Sequence, residues 1–303
     1  MLTRNKRTTP AHASVGSGRR LRSPAALVAG LGIVGLLAVA MIPQGASATS
    51  LSGVSFVRSP ATASSLYLTI QDPAITESSG LAVSGYSSSR LWTHNDSGGG
   101  TYLYALGTDG RTTGTFNLGD VSHKDWEGMA QYQDGATSYL YRGDIGDNGK
   151  KRDSIFVHRV VEPAASATGG TLKAETFEFK YSDGKHNAEA MMVNPADHRV
   201  YIITKSSPAG IYQAPASLST TSVNVLTKIA SVPAGLSDAV YLDSKRFVLR
   251  GYVSGWLFPS IGGTATRFPL PIKGESISKG FSSSYVFIGS EHVHSKIYKV
   301  ALP

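Results

Sequence analysis

The sequence contains no cysteine in 303 residues, which excludes disulfides, thiol catalysis and thiolate metal sites together. It also lacks any acid in its first 48 residues, a segment that carries Arg4, Lys6, Arg7, Arg19, Arg20 and Arg22. An uncharged apolar run from Ala25 to Ile42 follows, then Pro43 and the small residues Ala46, Ser47 and Ala48. That order predicts a secretory signal over residues 1–48, cleaved after Ala48, and hence a secreted or extracytoplasmic protein. The competing expectation is a membrane anchor over residues 25–42, because 18 apolar residues stand at the lower edge of what spans a bilayer. Arg19-Arg20 raises the twin-arginine route, but Leu21-Arg22-Ser23 lacks the apolar pair expected after it.

Strong charge of one sign is missing from the rest of the chain. Six of the 29 basic residues lie before Thr49, which leaves 23 against 21 acids, a net charge near +2. The sequence pI of about 9.5 therefore belongs to the leader and gives no case for nucleic acid. An exported domain without disulfides needs a large core, and the chain beyond Ala48 is long enough to bury one.

Long helical periods are absent too. Short β-branched and aromatic runs bounded by Gly, Asp, Asn, Ser and Pro recur instead, as in Leu91-Trp92-Thr93-His94, Val200-Tyr201-Ile202-Ile203-Thr204 and Tyr285-Val286-Phe287-Ile288. They predict an all-β chain of many antiparallel strands. An acid precedes a short apolar segment at Glu77, Glu127, Glu189, Asp238 and Glu275, at intervals of 50, 62, 49 and 37 residues. Those intervals centre on the length of a four-stranded propeller blade. The expected fold is a five-bladed β-propeller over residues 66–303, after an N-terminal linker over 49–65. Leu66-Tyr67-Leu68-Thr69-Ile70 would complete the last blade and close the ring. A six-bladed propeller and a β-sandwich are the alternatives.

The acid-led segments Glu77-Ser78-Ser79-Gly80-Leu81, Asp125-Trp126-Glu127-Gly128-Met129, Ala188-Glu189-Ala190-Met191, Leu236-Ser237-Asp238 and Gly274-Glu275 resemble the blade openings of the SdiA-regulated, YjiK-like propellers of bacterial envelopes. The resemblance spans about residues 66 to 303. It implies a propeller outside the cytoplasm with a metal in or near the channel, and it matches Lys205 to a lysine often found after the third blade's second strand. Asp238 departs from the repeated Glu, and Arg250 stands where an acid or hydroxyl is more usual.

In a propeller, the loop entering the innermost strand and the loop leaving the second strand share one face. The entering acids, Glu77, Glu127, Glu189, Asp238 and Glu275, are the candidate metal ligands. The leaving residues, Asn95, Asp96, Asp144, Lys205, Arg250 and Glu291, are the candidate ligand-binding set. Converging carboxylates repel unless a cation, protons or hydrogen bonds answer them. Oxygen-only ligands favour a hard ion, calcium ahead of magnesium. The competing expectation is structural: each acid caps its blade through backbone N–H groups or pairs with Lys205 or Arg250. Asp144-Ile145-Gly146-Asp147-Asn148-Gly149 lacks the distal Glu of an EF-hand and reads as an Asx turn. No Gly-x-Ser-x-Gly elbow occurs. The chain is thus expected to be a monomer that binds a small molecule or protein at an acidic mouth. Calcium-dependent hydrolysis of a phosphoester, ester or lactone is the enzymatic alternative, and a protein-interaction scaffold the third.

Overall fold

The computed structural model describes residues 49–51 and 53–303; the expected signal, residues 1–48, lies outside the described residues. Every regular element described is a β-strand. The chain opens with β1 (Thr49–Leu51), β2 (Val54–Arg58) and β3 (Ser64–Thr69). A first meander follows in β4 (Ser78–Val83), β5 (Leu91–Asn95), β6 (Tyr102–Leu106) and β7 (Thr112–Asn117). Next come β8 (Trp126–Asp134), β9 (Thr137–Asp144), β10 (Ile155–Val161), the short β11 (Gly169–Thr171) and β12 (Glu175–Tyr181). Within that group β8, β9, β10 and β12 pair antiparallel in order, while β11 pairs with β7. Then come β13 (Ala188–Val193), β14 (Val200–Thr204), β15 (Gly210–Gln213) and β16 (Asn224–Ser231), followed by β17 (Leu236–Tyr241), β18 (Phe247–Gly251), β19 (Ser254–Phe258) and β20 (Ala265–Pro269). The chain ends in β21 (Ile277–Lys279), β22 (Tyr285–Gly289) and β23 (Lys296–Ala301), and β3 pairs antiparallel with β23.

The residues explain these positions. β4 and β13 are buried at every residue, as expected of strands packed on both faces, and they are built from small and apolar side chains plus the few polar ones discussed below. β16, on the periphery, alternates buried and exposed residues in its first half. The innermost strands β4, β8, β13, β17 and β21 touch in turn, and β21 touches β4. Apolar clusters fill the spaces between successive meanders. One joins Met129 and Trp126 to Trp92 and Phe116, and another joins Leu68 and Phe287 to Leu81 and Leu106. The result is an all-β, propeller-like arrangement of meanders around an axis.

That axis is nearly filled. Leu81, Met129, Met192, Val240 and Lys279 line a cavity of about 20 Å3, room for roughly one water, so the centre is packed and is not a pore.

The expected linker needs correction. Val54-Ser55-Phe56-Val57-Arg58 buries Val54 and Phe56 and exposes Ser55 between them, and as β2 it adds in parallel to the outer edge of β20. Val54 and Phe56 bury against Trp256, Phe258 and Ala265, so burial of two apolar side chains draws this segment onto the domain. It also covers an edge that would otherwise expose unpaired backbone groups.

Candidate functional site

A displaced residue at the start of the innermost strands decides which side chains reach the mouth. The pairings Leu81 with Thr93, Met129 with Arg142, Met191 with Ile202, Ala239 with Leu249 and Ile277 with Ile288 are equivalent positions in the five meanders. Two residues before them stand Ser79, Glu127, Glu189, Ser237 and Glu275. In β4, β8, β13 and β17 the register slips across that place, as at a β-bulge. A bulge re-aims a side chain, and here it delivers this position to the axis.

Glu127, Glu189 and Glu275 converge: all three are buried, and one oxygen of each lies within 4.8 Å of the others. A second triad shares Glu127 and adds Asp96 and Asp125, with ligand oxygens again within 4.8 Å of one another. Ser79 occupies the first meander's share of the ring and donates its hydroxyl to Glu127 Oε2 at 3.2 Å. Three residues after the second-strand pairing positions lie Asp96, Ile145, Lys205, Tyr252 and Glu291; Ile145 is buried in the apolar core, and the other four adjoin the acids. Lys205 Nζ is 2.8 Å from Glu189 Oε2 and 3.1 Å from the Tyr252 hydroxyl. Asn187 Nδ2 donates to Glu189 Oε1 at 3.2 Å.

This crowding shows in the proton affinities. Burial, then the Glu189 charge, then Asp96 and Asp125 push the Glu127 carboxyl well above the usual range. Burial and the Asp125 charge raise Asp96 to about 7. Burial together with a hydrogen bond and charge contact to Glu275 raises Glu291 to about 7. Glu189 is raised by burial even though Lys205 pulls the other way. Lys205 is itself raised, because its bonds to Glu189 and Tyr252 outweigh its desolvation. From beneath, the buried Arg142 guanidinium packs against the Trp126 ring and donates to Asn95 O at 3.2 Å. Burial lowers its proton affinity, while Asp144, Asp96 and Glu127 oppose that shift.

Several expected site residues fall elsewhere. Asp238 is fully buried one residue beyond the bulge, where strand alternation turns it away from the axis, and Ser237 holds the ring position. It accepts from the backbone N–H groups of Ala239 at 2.8 Å and Ile277 at 2.7 Å, a structural clamp between adjacent meanders. Glu77 lies two residues before Ser79 and is exposed at the rim, outside both triads. Asn95 is turned into its own loop, accepting from Thr76 and Glu77 N–H and donating to Ala74 O. Asp144 is buried and accepts from Ser122 Oγ, Asp125 N and Arg152 Nη1, so it holds the loop before β8. Burial raises its proton affinity, but Arg152 and Ser122 more than offset that and leave it lowered. Arg250 is fully buried and donates to the Ser276 and Gly289 carbonyls. Of the expected ligand-binding set, Asp96, Lys205 and Glu291 face the acids.

Two site residues were not singled out in the sequence. Asp125 is the acid directly before Trp126-Glu127, and its carboxylate occupies the space a side chain at Gly146 would need. Tyr252 stands at the same repeat position as Asp96, Lys205 and Glu291, and that spacing was its signal.

No family model matches the chain, and no curated protein matches it. Solved structures of similar outline include the gluconolactonase XC5397 from Xanthomonas campestris, at 13% identity and TM-score 0.44, covering 77% of this chain and 89% of that one. U3-55K matches at 10% identity and TM-score 0.42 over 74% of this chain and 80% of its own. The WD40 repeats of RRP9 match at 9% identity and TM-score 0.43 over 80% of this chain and 99% of theirs. With TM-scores below 0.5, these likenesses carry no argument about this chain's chemistry.

Proposed function

We propose that this protein is an exported, monomeric, five-bladed β-propeller that holds a calcium ion between Glu127, Glu189 and Glu275 and binds a small ligand through it. The observation that carries this reading is the convergence of three buried carboxylates with a single ion-paired cation, Lys205, at their level. Calcium–oxygen distances of about 2.3–2.6 Å put opposite oxygens of one shell roughly 4.6–5.2 Å apart, a span that accommodates the triad. Three carboxylate ligands leave positions open for water or for oxygens of a ligand entering from the mouth. The repeat supports five blades: each acid or serine of the ring opens one meander, and β3 pairs with β23 as the outer strand of the last. Export rests on the basic, apolar and small-residue order of residues 1–48, and the alternative there is an anchor over 25–42. The blade-opening segments support a place beside the SdiA-regulated, YjiK-like propellers.

A second reading is hydrolysis of an ester, phosphoester or lactone. Asp96, raised to about 7 and adjoining the triad through Glu127, suits a general acid or base near neutral pH. The recessed position of the acids favours a small ligand over a broad protein surface, which leaves the scaffold role third. Calorimetric titration of chelator-treated protein with calcium tests the binding reading: a saturable site is expected, weaker for magnesium, and no heat of binding would overturn it. A panel of ester, phosphoester and lactone substrates, with and without chelator, tests the second reading.

A further inference from the structure

Outside the acidic mouth, the addition of β2 to β20 creates a second polar feature. The parallel register places Arg58 beside Arg267, and the antiparallel register of β19 places Trp256 on the other side of Arg267. Side chains at matched positions stand on one face, so Arg58, Arg267 and Trp256 form a row across three strands. Phe56, two residues before Arg58, shares that face and meets the Trp256 ring edge-on at 4.9 Å between centroids. The Arg267 guanidinium lies 5.2 Å from the Trp256 centroid and donates from Nη2 to Ser254 Oγ at 2.8 Å. Its Nε is buried without a partner. Among the described residues, neither arginine pairs with a carboxylate.

Like charges side by side on neighbouring strands repel, and no carboxylate among the described residues answers them. The two arginines open onto a cleft of about 470 Å3, whose other walls are Tyr252, Val253 and the turn from Pro233 to Gly235. That volume lies within the range of small-molecule sites, and its mixture of apolar walls with a few convergent donors is what such sites require. Arginine donors match the planar oxygens of a carboxylate or phosphate, and an aromatic wall suits a flat apolar body.

We propose that this cleft binds a small organic anion, its oxyanion head held by Arg58, Arg267 and the Ser254 hydroxyl and its apolar body lying against Tyr252 and Val253. The site is independent of the calcium reading, because none of its donors belongs to the acid triads. Tyr252 nevertheless joins the two: its ring walls the cleft and its hydroxyl meets Lys205, so a bound anion would sit beside the mouth.

The test is calorimetric titration of the purified protein in chelator, which removes any contribution from a cation at the mouth. Phenylacetate and phenyl phosphate are the anionic probes, and phenylacetamide is the neutral one. Saturable binding of at least one anion is expected, with the neutral amide much weaker. R58Q changes an exposed side chain and leaves the fold intact, and it should weaken binding about tenfold or more, as loss of a charge-assisted hydrogen bond does. R267Q should act in the same direction. Preference for phenylacetate or for phenyl phosphate identifies the head group as carboxylate or phosphate. Absence of binding by both anions, equal binding of the amide, or an unchanged affinity in R58Q would each overturn the proposal.

Discussion

Substituting Glu127 with Gln separates the metal reading from a structural one, because the two predict opposite signs. Two ionised carboxylates 4.8 Å apart repel by ~3 kcal/mol at an effective dielectric constant of about 20. Glu127 adjoins Glu189 and Glu275 in one triad and Asp96 and Asp125 in the other, so it is the most crowded charge at the mouth. Raised proton affinity relieves part of that repulsion, and the net gain from removing the charge is therefore smaller than the pair energy suggests. In chelator, E127Q should melt at or above the wild-type temperature. Calcium at a hundredfold excess over its dissociation constant should stabilise wild type by about 2.7 kcal/mol. For a domain of this size that is a rise of roughly 5–10 °C in melting temperature, and E127Q should lose most of it. Differential scanning calorimetry of both proteins, with calcium and with chelator, makes the comparison. If Glu127 is instead a structural hydrogen-bond acceptor, E127Q should lose about 1–3 kcal/mol in both conditions and wild type should not respond to calcium, an outcome that would rule out a metal held by Glu127.

Three further outcomes are expected. Asp96 and Glu291 have native proton affinities raised to about 7, so between about pH 4 and pH 7 the native state holds more protons than the unfolded chain, and metal-free stability should fall as pH rises through that window. Calcium favours the ionised carboxylates and should flatten this dependence in melts taken across the pH range. K205M removes the lysine that competes with a metal for Glu189; it should lower metal-free stability and tighten calcium binding by calorimetry, whereas a weaker calcium affinity would contradict that placement. F56A removes the ring that β2 packs on Trp256 and should cost about 3–5 kcal/mol in denaturant melts while leaving calcium affinity unchanged.

The strands and the acid repeat were legible in the sequence because both rest on local signals: β-branched runs between turn residues, and an acid before each apolar segment. The aim of each acid was not legible, because one displaced residue decides it. Ser237-Asp238 carries its acid one place beyond the displaced position, and Glu77 carries its own two places before Ser79, so both spacings looked regular while the side chains diverged. Asn95 and Asp144 have the chemistry of ligands but lie close enough to their own loops to be spent on backbone N–H groups, a competition composition cannot resolve. β2 is not legible for a different reason. Its alternation runs only from Val54 to Phe56 before Val57 breaks it, a short strand before the first acid has no counterpart in the repeat, and the open edge of β20 gives it a place.

An anomalous-difference map from crystals grown with calcium would reveal whether one cation sits among Glu127, Glu189 and Glu275. A peak bounded by those three carboxylates is expected, at about 2.3–2.6 Å from an oxygen of each. A map with no peak between them at saturating calcium, or with the three carboxylates satisfied by protein groups alone, would contradict it.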